Sequence, residues 1–236
     1  MMKKREGIDI VSEIGGITTI DAAVKLFEEK MDTKNLQRIN EITNTEVLIK
    51  VANAIAMCRP DSVFVNTGSD ADRQFIRDLS LEKGEEAKLP MEGHTIHFDL
   101  KEEQGRIIDR TYYFTNPDDL VSSLANKVDR AEALEDIRGK MVGIMAGKIM
   151  IVGFYIRGPG GAPVSNPALE ITSSTYVSHS AEILYRNAFS DFNDQVERLG
   201  HYYTNIHSEG LNRPEDLPSA RVYICLLYTS DAADDN

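Results

Sequence analysis

The chain has 236 residues, 42% of them hydrophobic and 27% charged, with a formal net charge of -12. This is enough material for one large domain or two small ones. The acidic balance argues against a general nucleic-acid binder, which needs clustered Lys and Arg to neutralise phosphates. No apolar run reaches the roughly 18 residues of a membrane span. The basic start Met1-Met2-Lys3-Lys4-Arg5 is followed by Glu6 and Asp9 rather than by a secretory apolar stretch. The only two cysteines, Cys58 and Cys225, lack metal-ligand spacing. Free thiols in a reducing compartment fit this better than a disulfide scaffold, so a cytoplasmic setting is expected.

The spacing of Ile20, Ala23, Val24 and Phe27 predicts a first helix over 19–30. A second is predicted over 45–58 from the stripe Val47, Leu48, Val51, Ile55 and Cys58, with Asn44 or Thr45 as cap and Arg59-Pro60 as stop. Ser62-Val63-Phe64-Val65-Asn66 reads as a short buried strand. Thr67-Gly68-Ser69-Asp70 then turns into a helix carrying Phe75, Ile76 and Leu79 that ends near Gly84. Such a corner could cradle an anion, but the glycine-rich fingerprints are absent and an ordinary strand-to-helix corner is the expected reading. Strands are predicted at 94–100 and 110–115, and a helix over 131–146 that Gly139 and Gly143 weaken by about 1 kcal/mol each. Ile149 to Ile156 has the continuous apolar, β-branched character of a central strand, and Gly158-Pro159-Gly160-Gly161-Ala162-Pro163 breaks it. A strand over 168–173 and a long helix over 177–199, with Ala181, Leu184, Tyr185 and Ala188 inward, complete an α/β domain with a mixed sheet.

Candidate chemistry is sparse. His94 and His97 lie three apart, so on a strand they face opposite ways and cannot grip one metal. His179, His201 and His207 fall in no metal-binding pattern. The Gly158–Pro163 stretch lacks the Lys-Ser/Thr ending of a phosphate loop, and its two prolines supply no N–H, so it is read as a structural turn. Arg106 and Arg110 flank Ile107-Ile108-Asp109 ahead of Tyr112-Tyr113-Phe114. A guanidinium there could clamp a carboxylate or phosphate, or simply pair with Asp109 or Glu103. The residues alone leave this open.

Two blocks carry a resemblance. They are Val152-Gly153-Phe154-Tyr155-Ile156-Arg157-Gly158-Pro159-Gly160-Gly161-Ala162-Pro163-Val164-Ser165 and Ala168-Leu169-Glu170-Ile171-Thr172-Ser173-Ser174-Thr175-Tyr176-Val177. With Glu92-Gly93-His94-Thr95-Ile96-His97-Phe98-Asp99, the His179–Arg186 stretch and Ile206-His207-Ser208-Glu209-Gly210, they resemble the GTP-dependent phosphoenolpyruvate carboxykinases, archaeal-type branch, over about 20–223. The resemblance implies a phosphoenolpyruvate carboxykinase N-terminal-domain-like mixed sheet with flanking helices, truncated before the P-loop kinase-like domain. It also implies a family reaction, oxaloacetate and GTP to phosphoenolpyruvate, carbon dioxide and GDP, with manganese or magnesium offsetting charge on the transferring phosphate. Arg106-Ile107-Ile108-Asp109-Arg110-Thr111 matches the family's Arg-Ile-x-x-x-Thr stretch, so Arg106 inherits the substrate-carboxylate role. Many members place a Glu two residues after that arginine; here Ile108 stands there and Asp109 comes next.

The family's Tyr-Gly-Gly loop, metal-binding Lys and His, reactive cysteine, P-loop and metal Asp match nothing in the chain. Residues 1–224 are therefore expected to be an N-terminal substrate-binding domain that neither turns over oxaloacetate nor binds GTP or metal tightly. Cys225 to Asn236 resembles a translated sequencing adapter and is set aside as a non-native tail. The expected partner is a small molecule, with no nucleic acid and no membrane. The competing expectation is a stand-alone α/β module that binds a small anion or a protein without catalysis. The ATP-dependent carboxykinases resemble these motifs much less.

Overall fold

The structure is a computed structural model that describes residues 2–4, 9–98, 108–116, 122–208, 221–225 and 228–230. The elements run β1 (Met2–Lys4), α1 (Ile10–Gly15), α2 (Ile20–Lys30), α3 (Thr33–Ile39), α4 (Thr45–Cys58), β2 (Ser62–Asn66) and α5 (Asp70–Glu82). Next come β3 (Ala87–Lys88), β4 (Thr95–Ile96), β5 (Thr111–Thr115), β6 (Lys127–Asp129), α6 (Arg130–Met141), β7 (Ile149–Arg157) and β8 (Asn166–Thr172). The chain continues through α7 (Thr175–Leu184), β9 (Arg186–Asn187), α8 (Phe192–Leu199), β10 (Tyr203–His207), β11 (Val222–Cys225) and β12 (Tyr228–Ser230).

Among the described residues the main sheet has the order β10-β8-β7-β2, parallel at both outer pairs and antiparallel between β7 and β8. The strand β9 pairs with Tyr155 and Ile156 just beyond the point where β2 leaves β7 at Gly153. A smaller parallel sheet, β11-β5-β6, stands apart from it.

Strand alternation sorts β7 into two layers. Met150, Val152 and Phe154 join a core with Val63 and Val65 of β2, Leu169 and Ile171 of β8, and the helix α4. Ile151, Gly153 and Tyr155 face the opposite way, toward Val177, Ser178 and Ala181 of α7. Phe154 meets Phe192 and Phe189 edge-on, with centroids 5.0 and 5.7 Å away. The helix α4 is buried over most of its surface because α1 and α2 pack on it from outside. Its Asn44 cap accepts from the Val47 N–H at 3.1 Å, and it stops at Arg59, whose φ of 53° breaks the helical path. Cys58 lies fully buried at its end, where burial pushes the thiol up to about 12. The smaller sheet has its own core of Ile10, Phe114 and Ala133, and Ile14 of α1 packs against both cores.

The short helix α3 has only Leu36 and Ile39 as apolar positions, too few to announce it by periodicity; Ile39 joins the main core, and the polar residues of the helix secure β2. Asn35 Oδ1 accepts from the Val65 N–H at 2.8 Å, and Arg38 Nη1 donates to the Val65 carbonyl at 2.8 Å. Two side chains thus satisfy the outward groups of the edge strand β2, which is how a buried edge avoids orphaned donors and acceptors. Arg38 also donates to Asp72 at 2.6 Å, and both side chains are buried.

Three expectations need correction. The helix predicted over 131–146 ends at Met141, since Val142 turns extended and Gly143 takes φ 74°. The long helix over 177–199 is two helices: Tyr185 leaves the helical path so that 186–187 can pair with β7, and Leu184, expected inward, is 68% exposed. The strand expected at 94–100 is limited to Thr95–Ile96, with residues 99–100 outside those described.

Replacing Arg38 with Ala strands a buried carboxylate, so the urea-unfolding free energy is expected to fall by about 3–5 kcal/mol. Asp72 and Asp9 both have carboxyls held below the ordinary 3.8. Burial opposes this in each, but Thr67 and Arg38 outweigh it at Asp72, as Lys50 and Ser12 do at Asp9. A depressed folded value means the stabilisation is complete above 3.8 and is lost as pH falls below it through the folded values. Urea midpoints should therefore drop between about pH 4 and pH 2, with a smaller drop in Asp72→Asn.

Candidate functional site

The polar residues of the main sheet gather where β2 and β7 run out. Asn66 ends β2, and its Nδ2 donates to Glu182 Oε1 of α7 at 2.6 Å and to the Tyr155 hydroxyl at 3.2 Å. The Tyr155 hydroxyl donates to the same Oε1 at 2.9 Å, and Arg73 Nε of α5 donates to Oε2 at 3.2 Å. One largely buried carboxylate therefore ties together β2, β7, α5 and α7. Burial, then the adjacent Glu182 charge, pushes the Tyr155 phenol well above the usual tyrosine range. Gly153 makes room for this: a Cβ there would lie 2.5 Å from the Tyr155 ring.

The Thr67–Asp70 segment is an ordinary strand-to-helix corner because its donors are already engaged. Asp72 Oδ2 accepts from the Thr67 N–H at 3.0 Å and the Thr67 hydroxyl at 2.6 Å, while Asn66 Oδ1 accepts from the Gly68 N–H at 2.9 Å. Ser69 caps α5 through the Asp72 N–H at 3.2 Å. All of these donors meet the chain's own oxygens. Gly68, at φ 73°, lies against Asn187 so closely that a Cβ would meet its side chain at 2.3 Å.

The Gly158–Pro163 stretch also acts as a turn. It closes through Ala162 N–H to Pro159 O at 3.2 Å and Ser165 N–H to Ala162 O at 3.0 Å. Arg186 donates to the Gly158 carbonyl and Arg198 to the Gly161 carbonyl. It presents carbonyl oxygens to cations, the reverse of a phosphate cradle. Beside it, Arg157 donates to Glu170 at 2.6 Å and lies over the Tyr185 ring at 4.8 Å. Burial raises the Glu170 carboxyl despite Arg157 and Asn205.

Neither His94 nor His97 lies on a strand, since β4 covers only Thr95–Ile96, so the opposite-face placement expected of them does not apply. His94 is exposed, while His97 stacks on Tyr176 with centroids 3.5 Å apart. His179 Nδ1 lies 2.9 and 3.0 Å from the two oxygens of Glu86, and His207 Nδ1 lies 3.0 Å from the Thr172 hydroxyl. Among the described residues no three His, Cys, Asp or Glu side chains converge to hold a metal ion, and no helix is long and apolar enough to cross a membrane.

Arg106 lies outside the described residues. The described chain resumes at Ile108–Arg110, a 3-10 turn leading straight into β5. There the Tyr112 hydroxyl donates to the Asp109 carbonyl at 3.1 Å, and Arg221 lies 5.9 Å over the Tyr112 ring. A cleft of about 710 Å3 opens beside this sheet, lined by Tyr112, Asp136, Lys140, Arg221 and Tyr223 among others.

These features define an α/β domain with a mixed main sheet, flanking helices and polar clusters at its strand ends. The chain belongs to the phosphoenolpyruvate carboxykinase N-terminal domain family, whose model matches residues 50–229. A phosphoenolpyruvate carboxykinase (GTP) of Saccharolobus solfataricus is 36% identical over 200 residues, 85% of this chain and 31% of that protein. Proteins of the same name from Pyrococcus furiosus and Thermococcus sibiricus are 33% and 34% identical, over 88% and 85% of this chain and 34% and 32% of their own lengths. The chain thus spans about a third of the length of the curated relatives it matches.

No motif in the sequence marks Glu182, Tyr155 and Asn66 as a group. Leucine at 182 would leave the Asn66, Tyr155 and Arg73 donors without their acceptor. We expect a loss of about 3 kcal/mol or more in urea unfolding, and a smaller loss for the isosteric Glu182→Gln.

Proposed function

We propose that the chain provides the substrate-carboxylate part of a GTP-dependent phosphoenolpyruvate carboxykinase, with Arg106 holding a carboxylate of oxaloacetate or phosphoenolpyruvate. The observation that carries the reading is the family match across 50–229, which includes Arg106-Ile107-Ile108-Asp109-Arg110-Thr111. Support also comes from the entry of this stretch into β5 at Thr111, as the family pattern has it. A planar guanidinium suits a carboxylate because two parallel N–H donors meet two oxygens.

On this reading the binding step belongs to this chain. GTP and the divalent cation, which offset charge on the transferring phosphoryl group in the family reaction, bind in the portion of the longer relatives that this chain does not match. The setting proposed is cytoplasmic, with a small-molecule partner.

Titration calorimetry with phosphoenolpyruvate tests the assignment. Arg106→Ala is expected to weaken binding by about 10- to 100-fold, the worth of hydrogen bonds between charged groups, while Arg110→Ala changes it little. Equal affinity in Arg106→Ala and the parent chain would remove Arg106 from the site and favour a stand-alone binding module.

A further inference from the structure

The two sheets have separate cores of very different size. The main core gathers β2, β7 and β8 with α2, α4 and α8. Among the described residues the smaller sheet buries only Ile10, Phe114 and Ala133, with Val128, Leu134, Ile137 and Tyr223 partly covered around them. Val222 of β11 is exposed. Apolar burial is the dominant favourable contribution to folding, so the smaller sheet has much the weaker hold on its own structure.

The helix α1 joins the two. Its Ile10 enters the smaller core, Ile14 packs against both cores, and Glu13 accepts from Arg130 Nη2, at the start of α6, at 2.5 Å. A different set of contacts seats α1 on α4. Asp9 caps α1 by accepting from the Ser12 N–H at 3.2 Å and pairs with the buried ammonium of Lys50. The buried Asn53 accepts from the Ile17 N–H at 2.8 Å and donates to the Ile17 carbonyl at 2.9 Å. Gly15 lies so near α4 that a Cβ there would stand 2.7 Å from the Asn53 Cα. Among the described residues, the hydrogen-bond partners of Asp9, Lys50 and Asn53 lie on α1, on α4 or at Ile17, and not on the smaller sheet. A second attachment follows α6, where Gly143 takes φ 74° and donates to the Met57 carbonyl of α4 at 2.8 Å.

We propose that α1 is a latch between the two sheets. Seated on α4, it holds the smaller sheet against the main body; when it lifts, β5, β6 and α6 open together while the main sheet stays folded. The opening pivots at Val142–Gly143, where α6 gives way to the segment bonded to α4. A small cooperative unit with few buried apolar side chains opens at lower free energy than the whole fold. The strand β5, which the Arg106 stretch enters at Thr111, belongs to the unit that opens. The latch goes beyond the role of Arg106 and does not depend on it.

The test is amide hydrogen exchange, followed by NMR on the full chain. The Tyr113 N–H, which donates to the Asn126 carbonyl at 2.9 Å, reports on the smaller sheet, and the Val65 N–H reports on the main one. In the parent, Tyr113 is expected to be less protected than Val65 and to respond less steeply to urea. Gly15→Ala pushes α1 off α4 without altering a side chain of the smaller sheet. It should speed exchange at Tyr113 at least about tenfold and leave Val65 within about twofold. Asp9→Ala combined with Lys50→Met removes the ion pair without stranding the buried ammonium; it should act the same way and provides the test should Gly15→Ala fail to fold. Equal protection and urea response at the two amides of the parent overturn the proposal. So does a folded variant that leaves Tyr113 unchanged or speeds Val65 by the same factor.

Discussion

The Arg38–Asp72 pair is the constraint on which the arrangement of the main sheet rests. β2 lies at the sheet's edge yet inside the protein, and its outward N–H and carbonyl at Val65 need partners there. Asn35 and Arg38 supply them. Asp72 then neutralises the guanidinium and, with its second oxygen, closes the corner that leads into α5. A single carboxylate therefore sets both where β2 stops and where α5 starts. Hydrophobic burial alone would not fix either point, because it rewards apolar contact without specifying which backbone groups must be met.

The placement of β2 in turn positions the elements around it. With β2 halted at Asn66, the upper part of β7 is free to pair with β9, and the chain reverses there to reach α8. Glu182 then finds Asn66, Tyr155 and Arg73 within reach from three other elements. Buried polar networks of this kind are costly when partly satisfied and rigid when complete. The same logic recurs at α7, where Glu85 accepts from the Ser174 hydroxyl and the Tyr176 N–H at the start of the helix, with Lys83 beside its other oxygen.

Much of the framework is legible in the sequence because local chemistry agrees with the fold. The Asn44 cap, the stop at Arg59-Pro60, the strand Ser62–Asn66 and the continuous apolar run of β7 are each marked by their own residues. α3 escapes a periodicity reading because Asn35 and Arg38 act through hydrogen bonds, which leave no periodic signal. A single helix over 177–199 is the wrong expectation because Ala181, Leu184, Tyr185 and Ala188 fit helical spacing, while the break depends on a pairing partner some thirty residues upstream. The candidate site is less legible. Asn66 and Glu182 are 116 positions apart, and Arg106 is distinguished from other arginines only by family resemblance.

Cys58 illustrates a consequence of the way α4 is enclosed. Its thiol ends a helix covered on nearly every side, and burial raises it to about 12, which keeps it protonated well into the alkaline range. Thiolate is the species that alkylating and oxidising reagents attack, so while the fold is closed this sulfur has no chemistry to offer. Its reaction rate is therefore a clock for the interior, ticking only when the helices around α4 come apart.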